Sequence, residues 1–351
     1  MNRRFFSRQF FIGAAVVASM AVAVVALRRD GDETALTPSA EIAALVDRPC
    51  SYERYSIHIY NTYYDPRFYH ECGALTHRGL RIENFLHRGP HGRYRVTYVK
   101  RVDEAIERFV VYIVGGPRLP TTMLPRPDFE GEPTVAFAAR SGTAVLAPEY
   151  LGTLARSFFP RADVPSAADE ILALIADIRG IHPRAEVLVV ASSAGSLVAL
   201  EMLRRRAVPA VLVTPLVDDV GSLVRRIAET DLSADAATRP VQFFRYRPGS
   251  EQVEQVTATG AEQIMAFAGD DARRDLSELI ARIPPERRAC LAVVYGEIDR
   301  RVLIARMPEV AARFPTIRMV AVPGMGHGPA DGRQAATLAQ TVERVTPRHC
   351  R

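Results

Sequence analysis

Lysine is almost missing from this chain. Lys100 is the only one in 351 residues, and arginine supplies the other 44 positive charges. A phosphate-cradling G-x-x-x-x-G-K-[ST] loop, a kinase-type nucleotide site and a Ser-Lys dyad all need a lysine in contexts that Lys100 does not have. Lys100 falls in the alternating run RYRVTYVKRV, which predicts a solvent-facing strand position. Cysteine is scarce as well. Cys50, Cys72, Cys290 and Cys350 form no C-x-x-C pair, and no Cys or His cluster has metal-ligand spacing, so no metal is implied; no organic cofactor is expected either. The formal charge of +5 is concentrated at one end, since residues 1–29 hold five arginines and no acid. The remainder is balanced, which leaves nucleic acid or another polyanion without support as a partner.

The N-terminal arginines precede something specific. Arg3, Arg4 and Arg8 lead into Phe10–Leu27, an uncharged run of 18 residues. Its length lies between an export signal and a single membrane anchor, and Asn2-Arg3-Arg4-Phe5-Phe6 resembles a twin-arginine export signal. No single cleavage site stands out. The chain is therefore expected to be exported, with residues 10–27 either removed or left as a membrane tether whose N-terminal side is cytoplasmic. In that compartment the four cysteines can form two disulfides. Segment proximity favours Cys50–Cys72 and Cys290–Cys350, although three connectivities remain open.

Residues 30–92 read as a linker and an N-terminal extension rich in Tyr and His. Residues 93–347 read as the main domain. Arg93 to Arg101 alternates as a strand, and short apolar runs follow at 108–114, 142–148, 187–191, 208–215, 290–295 and 316–322, with helix-prone segments between most of them. Strands that are apolar throughout and alternate with helices predict an α/β fold, a mostly parallel central sheet with helices on both faces. From 216 to 288 the strand signal disappears. Polar helices flank an irregular piece containing Phe243, Phe244, Tyr246 and Met265, which predicts a largely helical lid over the carboxyl edge of the sheet. Those aromatics either line a pocket or pack the lid onto the body.

The stretch 185–203, AEVLVVASSAGSLVALEML, carries the chemistry. An apolar strand ends at Ser192-Ser193-Ala194-Gly195, and Leu197, Leu200 and Leu203 continue at helical spacing. A sharp strand-to-helix turn exposes a serine hydroxyl above a sheet edge, provided that small residues lie two positions either side. Ala191 and Gly195 meet this need around Ser193, whereas Ser192 would place Val190 there. Ser193 is thus the expected nucleophile, with Ala191 where glycine is commoner. Two later strands end in Gly296-Glu297-Ile298-Asp299 and Pro323-Gly324-Met325-Gly326-His327-Gly328.

The chain order Ser193, Asp299, His327, each just past a strand, resembles the α/β-hydrolase fold superfamily of serine hydrolases over roughly residues 93–347. The resemblance implies that Ser193 attacks a carbonyl carbon, His327 relays its proton and Asp299 holds the imidazole. Glu297 is an alternative acid, and Asp218 and Asp219 are more remote ones. The resemblance also implies an oxyanion hole from the backbone N–H groups of Ala194 and Gly116, with Gly115 as second choice to Gly116. Val114 stands where the family often has His. Gly115-Gly116-Pro117 is similar to the proline-iminopeptidase-like branch, but the elbow Ala-Ser-Ser-Ala-Gly departs from that branch's Gly-Gly-x-x-Gly. The expected activity is hydrolysis of a small-molecule acyl substrate, an ester in preference to an amide, through an acyl-enzyme. The alternative is a catalytically silent, membrane-tethered binding protein on the same scaffold, which would not need an activated Ser193.

Overall fold

The continuous apolar runs form the middle of one twisted sheet. In chain order the strands are β1 (Arg48–Pro49), β2 (Ala74–His77), β3 (Leu80–Gly89), β4 (Gly92–Arg101), β5 (Arg108–Ile113), β6 (Thr143–Pro148), β7 (Glu186–Ser192), β8 (Ala210–Val213), β9 (Val241–Tyr246), β10 (Val253–Ala258), β11 (Leu291–Gly296) and β12 (Arg318–Val322). The structure is a computed structural model that describes residues 38–49, 74–115, 132–150, 163–229, 241–246, 253–258, 260–348 and 350. They belong to one unit that begins at Pro38.

In space the strands run β1-β3-β4-β6-β5-β7-β8-β11-β12, with β2 beside β3. Pairing is parallel from β6 through β12, and β4 lies antiparallel to both β3 and β6. The central strands β5, β7, β8 and β11 bury almost every side chain, because helices cover both sheet faces. Their sequences are accordingly apolar at nearly every position.

The helices are α1 (Pro133–Ala138), α2 (Val164–Ile181), α3 (Gly195–Arg205), α4 (Val220–Glu229), α5 (Gly260–Ala268), α6 (Leu276–Ala281), α7 (Pro285–Arg288), α8 (Met307–Arg313) and α9 (Gly332–Val345). α2 packs with α3, and α1 packs with α9. Asp163 starts α2 by accepting the Ser166 N–H at 2.7 Å, a cap that contributes about 1 kcal/mol. Ile171, Leu174, Ile175 and Ile178 then bury one face of the helix.

Three observations differ from the sequence reading. The sheet starts before residue 93, because β3 pairs with β4 along its whole length. β3 is mostly buried on both faces, so its residues LRIENFLHRG lack the clean alternation that marks a half-exposed strand. Lys100 is buried rather than solvent-facing, since Glu41 folds over β4 and forms an ion pair with it. The 216–288 insertion contains the antiparallel ribbon β9–β10. Neither strand has an uninterrupted apolar face, and no two-residue turn joins them, so the sequence carries no hairpin signature there.

Cys290 and Cys350 form a disulfide, while Cys50 and Cys72 lie outside the described residues. Among the described residues no helix is long and apolar enough to cross a membrane, and residues 10–27 lie outside them.

Candidate active site

β7 ends at Ser192 and α3 begins at Gly195, so two residues make the whole change of direction. Ser193 absorbs it with φ +49°, a left-handed conformation that is uncommon for a residue with a side chain. The turn is held locally. The Ser193 N–H donates to the Val213 carbonyl on β8 at 3.0 Å, and the Ser196 N–H donates to the Ser193 carbonyl at 2.9 Å.

The small residues around the turn each have a steric reason. A Cβ on Gly195 would lie 2.7 Å from the Ile113 carbonyl oxygen, and one on Gly115 would lie 2.3 Å from the Ser192 oxygen and 2.5 Å from the Ser193 Cβ. Ala191 keeps its methyl group in the core, fully buried between Ile113 and Leu212 of the neighbouring strands. The elbow therefore needs glycine on its helix side and tolerates alanine on its strand side.

Asp299 follows β11 and is buried. Its two oxygens face different partners. Oδ1 accepts the Arg301 N–H at 2.8 Å and the Val302 N–H at 3.4 Å, and Oδ2 lies 2.8 Å from His327 Nδ1. One carboxylate thus holds both the turn that follows it and the histidine ring. On its other side, the imidazole places Nε2 2.9 Å from Ser193 Oγ. With the Nδ1 proton directed at the carboxylate, Nε2 is the acceptor for the serine hydroxyl.

The remaining carboxylates are occupied elsewhere. Glu297 Oε2 accepts the Gly324 N–H at 2.9 Å and so braces the histidine loop from outside the imidazole. Asp218 pairs with Arg306 at 3.3 Å. Asp219 caps α4 by accepting the Ser222 N–H at 2.9 Å, and the Ser222 hydroxyl with the same N–H holds its carboxyl below the usual carboxylate range.

Two residues at the site escaped the sequence reading. Thr214, fully buried, donates its hydroxyl to the His327 carbonyl at 2.9 Å. Tyr150 donates its hydroxyl to the Val114 carbonyl at 2.7 Å, beside Gly115, and burial pushes its phenol well above the ordinary tyrosine range. Both sit just past a strand's carboxyl end, the one signal that was available, but nothing in their local sequence separates them from ordinary turn residues.

Ala194 precedes the first turn of α3, where backbone N–H groups lack helical acceptors and the helix dipole favours negative charge. Gly116 lies outside the described residues, as do the side chains of Phe243, Phe244 and Tyr246. Met265 on α5 is exposed. Among the described residues no group of three or more His, Cys, Asp or Glu side chains is arranged to hold a metal ion.

This strand order, with a serine elbow after the fifth strand of the path that starts at β3, defines an α/β hydrolase. The model of the Alpha/beta hydrolase family matches residues 110–341, and the chain belongs to that family. Hydrolysis is the general activity that this membership supports. Similar solved structures include carboxyl esterase 2 from the mycorrhizal fungus Tuber melanosporum, 16% identical with a TM-score of 0.47, covering 76% of this chain and 86% of that one. An esterase from Pyrobaculum calidifontis is 21% identical with a TM-score of 0.48, covering 77% and 87%. A proline iminopeptidase-related protein from Thermus thermophilus is 16% identical with a TM-score of 0.47, covering 76% and 99%. No curated protein sequence matches the chain.

Proposed function

We infer that the protein is a serine hydrolase that cleaves an ester bond of a small-molecule acyl substrate through an acyl-enzyme on Ser193. The observation that carries this reading is the continuous chain of contacts from Ser193 Oγ to His327 Nε2 at 2.9 Å and from His327 Nδ1 to Asp299 Oδ2 at 2.8 Å. In such an arrangement Oγ attacks the carbonyl carbon as its proton passes to Nε2. The tetrahedral intermediate then expels the alcohol, which takes that proton. Water repeats the sequence on the acyl-enzyme, releasing the acid and restoring the serine.

Charge that develops on the carbonyl oxygen needs donors already in place. The Ala194 N–H at the start of α3 is one, and the loop that begins at Gly115 is the source of the other, assigned to Gly116. The insertion between β8 and β11 is read as a lid above this edge. Residues 1–29 are read as an export signal or membrane anchor that places the enzyme outside the cytoplasm.

Labelling of the full-length chain with a fluorophosphonate, followed by mass spectrometry, tests the central claim. Modification confined to Ser193 and absent from Ser193→Ala is the expected result. Folded wild-type protein that stays unlabelled would return the chain to the silent-scaffold alternative.

A further inference from the structure

Thr214 is an unusual residue to find at a strand end. Its φ of +44° is in the left-handed region, where a β-branched side chain is a steric outlier. Among the described residues four non-glycines share positive φ. Arg78 and Asp103 belong to turns beside β2 and β4, away from the site, and the other two are Ser193 and Thr214. A strained β-branched residue persists only where its surroundings over-determine it. Here they do: the Thr214 N–H donates to Val294 on β11 at 2.8 Å, its hydroxyl donates to the His327 carbonyl at 2.9 Å, and the residue is fully buried. Glycine would accept this backbone without strain, but it would bring no hydroxyl.

The preceding residue completes the arrangement. The Val213 carbonyl accepts the N–H of Ser193. Val213, the last residue of β8, and Thr214 just past it thus hold the backbones of both Ser193 and His327.

We propose that Thr214 is a positioning residue that fixes the pivot of His327 relative to Ser193, its hydroxyl rather than its bulk being the required feature. The proposal rests on the serine hydrolase reading. At the ring, the imidazole contacts Asp299 and Ser193. The Thr214 hydrogen bond, at the backbone, sets where the ring swings from as it takes a proton from Oγ and delivers it to the leaving group. Without that anchor the ring still binds Asp299, but it samples positions from which Oγ is out of line. Displacements of about 1 Å around a reacting pair lower rates by about 100-fold.

The test compares full-length wild type with Thr214→Ser, Thr214→Val and Thr214→Gly. Rates of fluorophosphonate inactivation and kcat and KM on a p-nitrophenyl ester are measured, together with thermal melting. The Ser variant keeps the hydroxyl, Val keeps the shape, and Gly removes both hydroxyl and strain. Inactivation rate and kcat are expected to fall about 10- to 100-fold in Val and Gly at little-changed KM, while Ser stays within about threefold of wild type. Val against Ser separates the hydroxyl from the bulk, and Gly, unstrained at this φ, provides a second hydroxyl-free variant. Wild-type rates in folded Gly or Val protein would overturn the proposal, as would failure of Ser to retain activity. An unreactive wild type would instead overturn the serine hydrolase reading, and this proposal with it.

Discussion

Asp299 receives the Arg301 N–H on one carboxylate oxygen, at 2.8 Å, and turns the other toward His327. The two functions can therefore be separated by substitution. Asn in place of Asp keeps an oxygen for the Arg301 N–H but presents an amide N–H₂ to Nδ1, which forces the proton onto Nε2. Asp299→Asn is expected to lower kcat about 10,000-fold through the wrong tautomer. It should change unfolding free energy by less than about 1 kcal/mol, because Asn keeps an acceptor for the Arg301 N–H. Ester turnover and denaturant unfolding of the same preparation check both halves.

Glu297 supplies the matching control. Its carboxylate engages the Gly324 N–H, and Gln retains an acceptor oxygen for that bond. Glu297→Gln is expected to keep kcat within about threefold of wild type, since the interaction lost is one of charge and not of proton relay. A loss comparable to that of Asp299→Asn would reverse the assignment of the acid.

Gly115→Ala tests how tightly the elbow is enclosed. Its Cβ would arrive 2.3 Å from the Ser192 oxygen, so backbone has to move. Overpacking of this kind destabilises by about 1–3 kcal/mol, and the displacement falls directly on Ser193. A lower melting temperature together with loss of fluorophosphonate labelling is expected.

The Cys290–Cys350 disulfide closes a loop with a sequence separation of 60, and both Asp299 and His327 lie inside it. On the chain-entropy model a loop of this length contributes about 4 kcal/mol. Cys290→Ala/Cys350→Ala should unfold at correspondingly lower denaturant. An unchanged midpoint would show that the last helix is held by packing alone.

Acid should destabilise the fold around the insertion. Hydrogen bonds from Ser222 hold Asp219 below the usual carboxylate range. Burial of Asp275 opposes its charge, but the Glu278 N–H and Arg306 outweigh it and lower its pKa as well. Both groups are more acidic folded than unfolded, so the unfolded chain binds more protons as pH falls. Their stabilisation is complete above the ordinary carboxylate range and is lost on acidification through it. Unfolding free energy measured from pH 7 downward should decline in that window, and Ser222→Ala should make the decline shallower.

Much of the sheet was legible because its signals are local. Runs such as Phe109–Ile113, Val187–Ala191 and Leu291–Val294 are apolar and buried at every position, as expected of strands covered on both faces. Ser193, between small residues at a strand-to-helix turn, was legible for the same reason, and so was the order in which Asp299 and His327 follow it.

What the sequence could not decide depends on which distant segments meet. Spacing permits either Glu297 or Asp299 to face His327, and only the path of the loop after β11 aims Asp299 at the imidazole and Glu297 at Gly324. Lys100 reads as exposed until Glu41, 59 residues earlier, folds over it. Thr214 has no local mark beyond its place at a strand end, because its partner is a carbonyl 113 residues away. Periodicity records how a segment meets its surroundings on average. The direction of a single oxygen is set by contacts between strands, and only the folded chain brings those together.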